Sequence, residues 1–240
     1  MKTSTTLLLA ALLVLLASLT AYNMALRAEY RSGTYKDPLR NYQTLALRNF
    51  DAVRVPSASG LNVKIVAGPF GVHVGKQAAA YVRITQQGQQ LRVALAYPQQ
   101  PEPLGRGETV IISCPQLAAL TIEGTYSVAG KPQFNQLQAG GTVLVQGFRQ
   151  DSLALRQDQS NQIRLAGNTL NQLRALVGTQ AGSSPELEIG PDNRIQAASL
   201  TVNHQGRLDL KTVIPHLRYH FSDSATAVFS GPATRRLNAE

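Results

Sequence analysis

The run Ile111-Ile112-Ser113-Cys114-Pro115-Gln116-Leu117-Ala118-Ala119-Leu120-Thr121-Ile122-Glu123-Gly124 decides how the rest of this 240-residue chain is read. Leu117 and Leu120 open a unit that is followed by Val128 and Gly130, and similar groupings return downstream. Phe134 and Leu137 precede Val145 and Gly147, and Leu153 and Leu155 precede Leu165 and Gly167. Leu170 and Leu173 precede Ile189 and Gly190 after an insertion containing Gly182-Ser183-Ser184-Pro185. Leu200 and Val202 precede Leu208 and Leu210, and Leu217, Tyr219 and Phe221 precede Val228, Phe229 and Gly231. The second leucines stand at 120, 137, 155, 173, 200 and 217, in steps of 17, 18, 18, 27 and 17. A step near 18 with short strands predicts stacked coils, one strand spacing of ~4.8 Å apart, with apolar positions forming interior ladders. The recurrent glycines are expected at turns, where a positive φ costs Gly little. An evenly spaced β-sandwich is the alternative.

Upstream of this run the pattern is period two. Val53 and Val55, then Leu61, Val63 and Ile65, then Val72 and Val74, then Leu91, Val93 and Leu95 alternate with polar neighbours. Gly68-Pro69, Gly71, Gly75, Gln87-Gly88 and the stretch from Pro98 to Pro103 interrupt them. Alternating runs between turn residues predict half-buried strands. The expected fold is therefore all-β, a β-solenoid (β-helix) of about six coils preceded by a strand-rich N-terminal part, with one N-terminal transmembrane helix.

The strand leading into Pro115, Leu117, Leu120 and Gly124 resembles the head GIN family of auto-transporter adhesin domains, frequent in Bacteroidota, in the spacing Pro-x-Leu-x-x-Leu-x-x-x-Gly. Phe50-Asp51-Ala52-Val53-Arg54-Val55 is similar to the family's start, and Val228-Phe229-Ser230-Gly231-Pro232 to its close. The resemblance spans roughly 46–232 and implies β-helical coils and an adhesin-like role. It brings no catalytic residues. The Ser-Gly pairs that usually mark each coil of the family are often Gln, Asn or Arg here.

Between Thr3 and Leu26 no residue is charged. Twenty-four helical residues span about 36 Å, enough for a hydrocarbon core of about 30 Å. Cleavage after Ala17 or Ala21 would put Leu15 or Leu19 at the −3 position, where a small residue is needed. An uncleaved signal anchor is expected at 1–26, a basic juxtamembrane linker at 27–45, the head GIN-like domain at 46–232 and a tail at 233–240. The expected location is a bacterial inner membrane, single-pass, with the C-terminal domain exported to the periplasm. A cleaved signal peptide with a secreted or surface-located product is the alternative. Arg27, Arg31, Lys36 and Arg40 after the segment argue for the opposite orientation by the positive-inside count. No β-barrel pattern follows Pro232, so export is expected to depend on the N-terminal segment.

Composition favours binding over catalysis. Gln and Asn number 32 against 14 Asp and Glu, and Arg 17 against Lys 6. The single Cys114 excludes an intrachain disulfide or a Cys-ligated zinc site. The net charge of +9 is uneven: residues 27–116 carry +6 and residues 117–232 carry +1. A basic half near a membrane suits anionic lipid headgroups or acidic polysaccharide. Scattered cations without a set of stacking aromatics do not suit nucleic acid.

Sugar-cleaving β-helix enzymes need clustered carboxylates, often with Ca²⁺. Glu186 and Glu188 flank Leu187, so a strand would place both outward about 7 Å apart. With Asp192 beyond Gly190-Pro191 they form a weak cation-site candidate. A solvated strand edge is the plainer reading. His216 and His220 share a face but lie about 13 Å apart, too far for one metal. No phosphate loop, dinucleotide fingerprint or HExxH helix occurs. The expected function is a non-enzymatic, membrane-anchored envelope interaction module, with no cofactor or catalytic residue. It would hold glycans or other envelope polymers. A purely structural envelope protein and a polysaccharide-active enzyme are the alternatives.

Overall fold

The structure, a computed structural model, describes residues 3–33, 36–105, 107–134, 141–159 and 161–236. Lys2, Leu137 and the end of the expected tail lie outside the described residues. The chain forms two compact units, Met1–Tyr42 and Gln43–Glu240.

The first unit is dominated by helix α1 (Thr3–Ser32). Leu and Ala are strong helix formers, and 30 residues reach about 45 Å. Two of its polar side chains bond back to the helix: Ser18 and Thr20 donate to the carbonyls of Val14 and Leu16, both at 2.8 Å. One helix is thus long and apolar enough to cross a membrane, as an anchor or a signal sequence would. It continues past Leu26, so Arg27 and Arg31 are helical, and Arg31 lies in the last turn, where a cation complements the helix dipole.

The second unit holds two sheets, with strands numbered in chain order. The first runs β1 (Tyr42–Leu45), β4 (Gly71–Gly75), β7 (Val110–Cys114), β3 (Val63–Ala67), β11 (Thr142–Gln146), β13 (Gln162–Ala166), β15 (Glu186–Ile189), β17 (Arg207–Leu210) and β19 (Thr226–Phe229). The second runs β10 (Lys131–Phe134), β9 (Thr125–Val128), β6 (Gln90–Tyr97), β2 (Ala52–Val55), β8 (Ala119–Ile122), β12 (Arg149–Gln157), β14 (Thr169–Val177), β16 (Arg194–Val202) and β18 (His216–Phe221). Strand β5 (Val82–Gln87) pairs antiparallel with β6. Most other pairings are parallel; β4 with β7 and β9 with β10 are antiparallel.

From β11 onward successive strands alternate between the sheets, and each inner face is apolar. Val143, Ile163, Leu187 and Leu208 are in register across the first sheet, as are Val145, Leu165, Ile189 and Leu210. Each is at most 2% exposed. Burying a side chain of this size contributes about 1.5–3 kcal/mol, so these ladders bind the strands to one core. Alternation in sequence becomes alternation in burial because successive strand side chains point to opposite faces.

The expected all-β β-solenoid is overturned. Among the described residues the protein is mixed α/β, with one N-terminal helix and two large, mostly parallel sheets, and no closed solenoid. The upstream strands do not precede a stack of coils. Strand β2 lies between β6 and β8, and β3 between β7 and β11, so they are built into the middle of the sheets. The leucine step is not the register either. Leu120 pairs with Leu155, and Leu153, not Leu155, pairs with Leu173. Leu155 and Leu200 instead pair with Ala175. Alternating large and small residues fill the layer without overpacking, which a leucine-only pattern cannot reveal.

Candidate functional site

The two sheets carry different outward charge. On the first, Glu186 pairs with Arg207 (3.6 Å), Glu188 with Arg164 (3.0 Å) and Lys211 (2.8 Å), and Asp209 with Lys211 (3.3 Å). Three acids therefore meet three bases. Glu188 is 6% exposed. Burial pushes its carboxyl up, but hydrogen bonds from Lys211 and Arg164 and their charges outweigh that and hold it below the usual carboxylate range. A carboxylate held ionised in this way suits an ion pair rather than proton transfer.

The second sheet presents two acid-free rows on its outer face. Strand register aligns Arg92, Arg54, Thr121, Arg156, Leu176, Thr201 and His220 in one row. It aligns Gln90, Ala52, Ala119, Ala154, Arg174, Ser199 and Arg218 in the next. Adjacent strands set neighbours about 4.8 Å apart, and the rows lie about 7 Å apart along the strands. Arg92, Arg156, Arg174 and Arg218 are exposed. Among the described residues, Arg54 pairs with Glu123 (2.9 Å), and Arg156 approaches the buried Asp158 only at 3.9 Å. Arg92, Arg174 and Arg218 have no acidic partner there.

At one end of this face the β9–β10 hairpin rises beside β6 and β2 and walls a groove of about 360 Å³. Ala94 and Ala96 line it with small side chains, and Arg54, Arg92, Glu123, Thr125 and Ser127 supply polar atoms. The Arg54 Nη2 donates to both carboxylate oxygens of Glu123, at 2.9 and 3.2 Å. Its Nε is buried without a partner.

The residues singled out from sequence fall in separate places. Leu117 and Leu120 are core residues, Pro115 is exposed in the β7–β8 loop, and Gly124 is buried, accepting a hydrogen bond from Ser59 at 3.0 Å. Glu186 and Glu188 are taken up by the ion pairs above, and Asp192 is exposed in the turn after β15. No group of three His, Cys, Asp or Glu among the described residues is placed to hold a metal ion. His216 and His220 lie exposed at the outer edge strand β18. His73 Nδ1 is 3.0 Å from the Thr44 hydroxyl.

The arginine rows escaped the sequence reading because charge was summed along the chain. The signal was present: Arg54, Arg174 and Arg218 each sit between apolar or aromatic neighbours on alternating strands. Four of the amides, Gln157, Asn161, Asn168 and Asn193, are buried at or near turns.

No protein-family model matches the chain, and no curated protein matches it. The head GIN assignment is accordingly not shown. Among solved structures, a protein named "putative adhesin" from Bacteroides fragilis is 11% identical, with 79% of this chain and 96% of that one covered at a TM-score of 0.47. A second so named, from Parabacteroides distasonis, is 14% identical over 80% and 94%, with a TM-score of 0.34. A "putative lipid binding protein" from the same species is 14% identical over 79% and 94%, with a TM-score of 0.27. The neighbours are thus named for adhesion or lipid binding, at low identity.

Proposed function

We propose that this protein is a non-enzymatic, membrane-anchored module that holds acidic polymers of the cell envelope on the outer face of its second sheet. The carrying observation is the pair of acid-free rows bearing Arg54, Arg92, Arg156, Arg174 and Arg218, set against a first sheet whose acids Glu186, Glu188 and Asp209 are paired with bases. Several guanidiniums spaced along one direction of a flat face match a linear polyanion, each adding a modest, salt-sensitive contact. Thr121, Ser199 and Thr201 between them offer hydroxyls to a hydrated chain. Helix α1 would tether this face to a membrane, with the sheets exported and no cofactor required.

Full-length protein in nonionic detergent, titrated with polygalacturonate and with neutral dextran, tests the reading. Binding to polygalacturonate alone, weakening as salt rises, is expected. Failure to bind any acidic polymer at low salt would refute it. For the topology, alkaline phosphatase fused after residue 45 should be active; an inactive fusion would place the sheets in the cytoplasm.

A further inference from the structure

We infer that the groove between the β9–β10 hairpin and strands β6 and β2 is a subsite for one acidic sugar unit, its carboxylate held by Arg92. The inference rests on the proposed polymer-binding role and adds a location and a chemical class.

Arg54 and Arg92 are register partners on adjacent parallel strands. Cations on strands whose backbones lie about 4.8 Å apart repel each other, and the single carboxylate of Glu123 neutralises only one of them. Glu123 is committed to Arg54 through both oxygens, while Arg92 has no acidic partner among the described residues. The groove therefore keeps one uncompensated positive charge, which matches one monoanionic group.

The remaining lining selects a hydroxylated anion over a bare one. A carboxylate has about four lone-pair sites, so Glu123 can still accept from sugar hydroxyls after receiving Arg54. Thr125 and Ser127 add hydroxyls, and Ala94 leaves room for a ring lying flat on the sheet. The planar guanidinium of Arg92 would grip a carboxylate through two parallel N–H bonds, which a lysine cannot reproduce.

The test titrates full-length protein in detergent with galacturonic acid, with glucose and with polygalacturonate. Galacturonic acid should compete with the polymer and glucose should not. Arg92→Lys, which keeps the charge, should weaken galacturonic acid binding by about tenfold or more. The double variant Arg174→Gln/Arg218→Gln should weaken the polymer and leave the free sugar unaffected. If the polymer binds wild type while galacturonic acid does not compete, the subsite is refuted and the polymer-binding role stands. If no acidic polymer binds, that role fails first. Competition by phosphatidylglycerol vesicles, without competition by the sugar, would assign the groove to lipid and overturn the inference.

Discussion

Asn193 Oδ1 accepts both the backbone N–H and the side-chain Nδ2 of Asn168, each at 3.0 Å. The Asn193 Nδ2 donates to the carbonyls of Leu165 (2.7 Å) and Gly190 (2.9 Å). Asn168 repeats the device one level down, accepting the Phe148 N–H and donating to the Val145 carbonyl, both at 3.0 Å. Where the chain crosses from one sheet to the other, its backbone leaves the ladder, and a buried amide supplies the lost partners. Thr212 then donates to the Asn193 carbonyl at 3.0 Å.

Asn193→Ala should therefore be costly. It leaves a buried amide and two carbonyls without this partner, and about 3 kcal/mol of stability should be lost. Asn171→Ala removes an exposed side chain that donates to Asp151 (2.8 Å), and should cost less than about 0.5 kcal/mol. Urea unfolding of the two variants measures the difference. Equal midpoints would show that the buried amide contributes nothing beyond a surface one.

Glycine turns offer a second comparison. Gly147 and Gly178 both take a positive φ, +81° and +76°. A Cβ on Gly147 would meet nothing within 4 Å, whereas one on Gly178 would lie 2.5 Å from the Asn203 carbonyl oxygen. Gly147→Ala should cost about 1–2 kcal/mol, the left-handed penalty alone. Gly178→Ala should cost about 2 kcal/mol more, because a backbone must move. Matching losses in urea unfolding would mean that the crowding at Gly178 is relieved freely.

The faces of the strands were legible in the sequence, but their neighbours were not. Val53, Val55, Val63, Ile65, Leu91 and Val93 alternate in sequence and are all buried, because period two is a local property of extended backbone. Which strand lies beside which depends on contacts between distant segments. Nothing local announces that Leu120 meets Leu155 or that Val53 meets Leu120. The leucine step misled because Ala175 and Ala198 occupy inward positions opposite leucines, and small residues are invisible to a pattern built on large ones. The arginine rows were hidden for a similar reason. The near-neutral half divides by face, with Glu188 and Arg164 paired on one sheet and Arg174 and Arg218 without acids on the other.

Cys114 is fully buried, and burial, helped by the charge of Asp51, pushes its thiol up to about 12. The thiolate is the reactive form, so at pH 8 the native protein should react with Ellman's reagent only as fast as it opens. Adding urea up to the unfolding transition should raise the rate in step with the unfolded fraction. Fast labelling of the native protein would show that the β7 end is open to solvent.

The ion cluster on the first sheet sets the pH dependence. Glu188 has a folded pKa below its unfolded value, so its contribution is present above the unfolded carboxylate range and is lost as pH falls through the folded pKa. Lys211 is the opposite case. Hydrogen bonds to Glu188 and then Asp209 raise its pKa, so its contribution is present below the unfolded lysine value and is lost as pH rises through the folded one. Between the two limits the cluster should give a plateau in stability. Glu188→Gln removes the acid-side loss, because Gln does not titrate, and it also leaves Arg164 without that partner. The variant should be less stable than wild type by about 1 kcal/mol at pH 7. The gap should narrow as pH falls below the unfolded carboxylate range toward the lowered folded pKa, where wild-type Glu188 loses its own charge. Urea titrations of both proteins at several pH values between 3 and 7 read this directly. A gap that stays constant over that range would mean that Glu188 is not the group whose ionisation stabilises the fold.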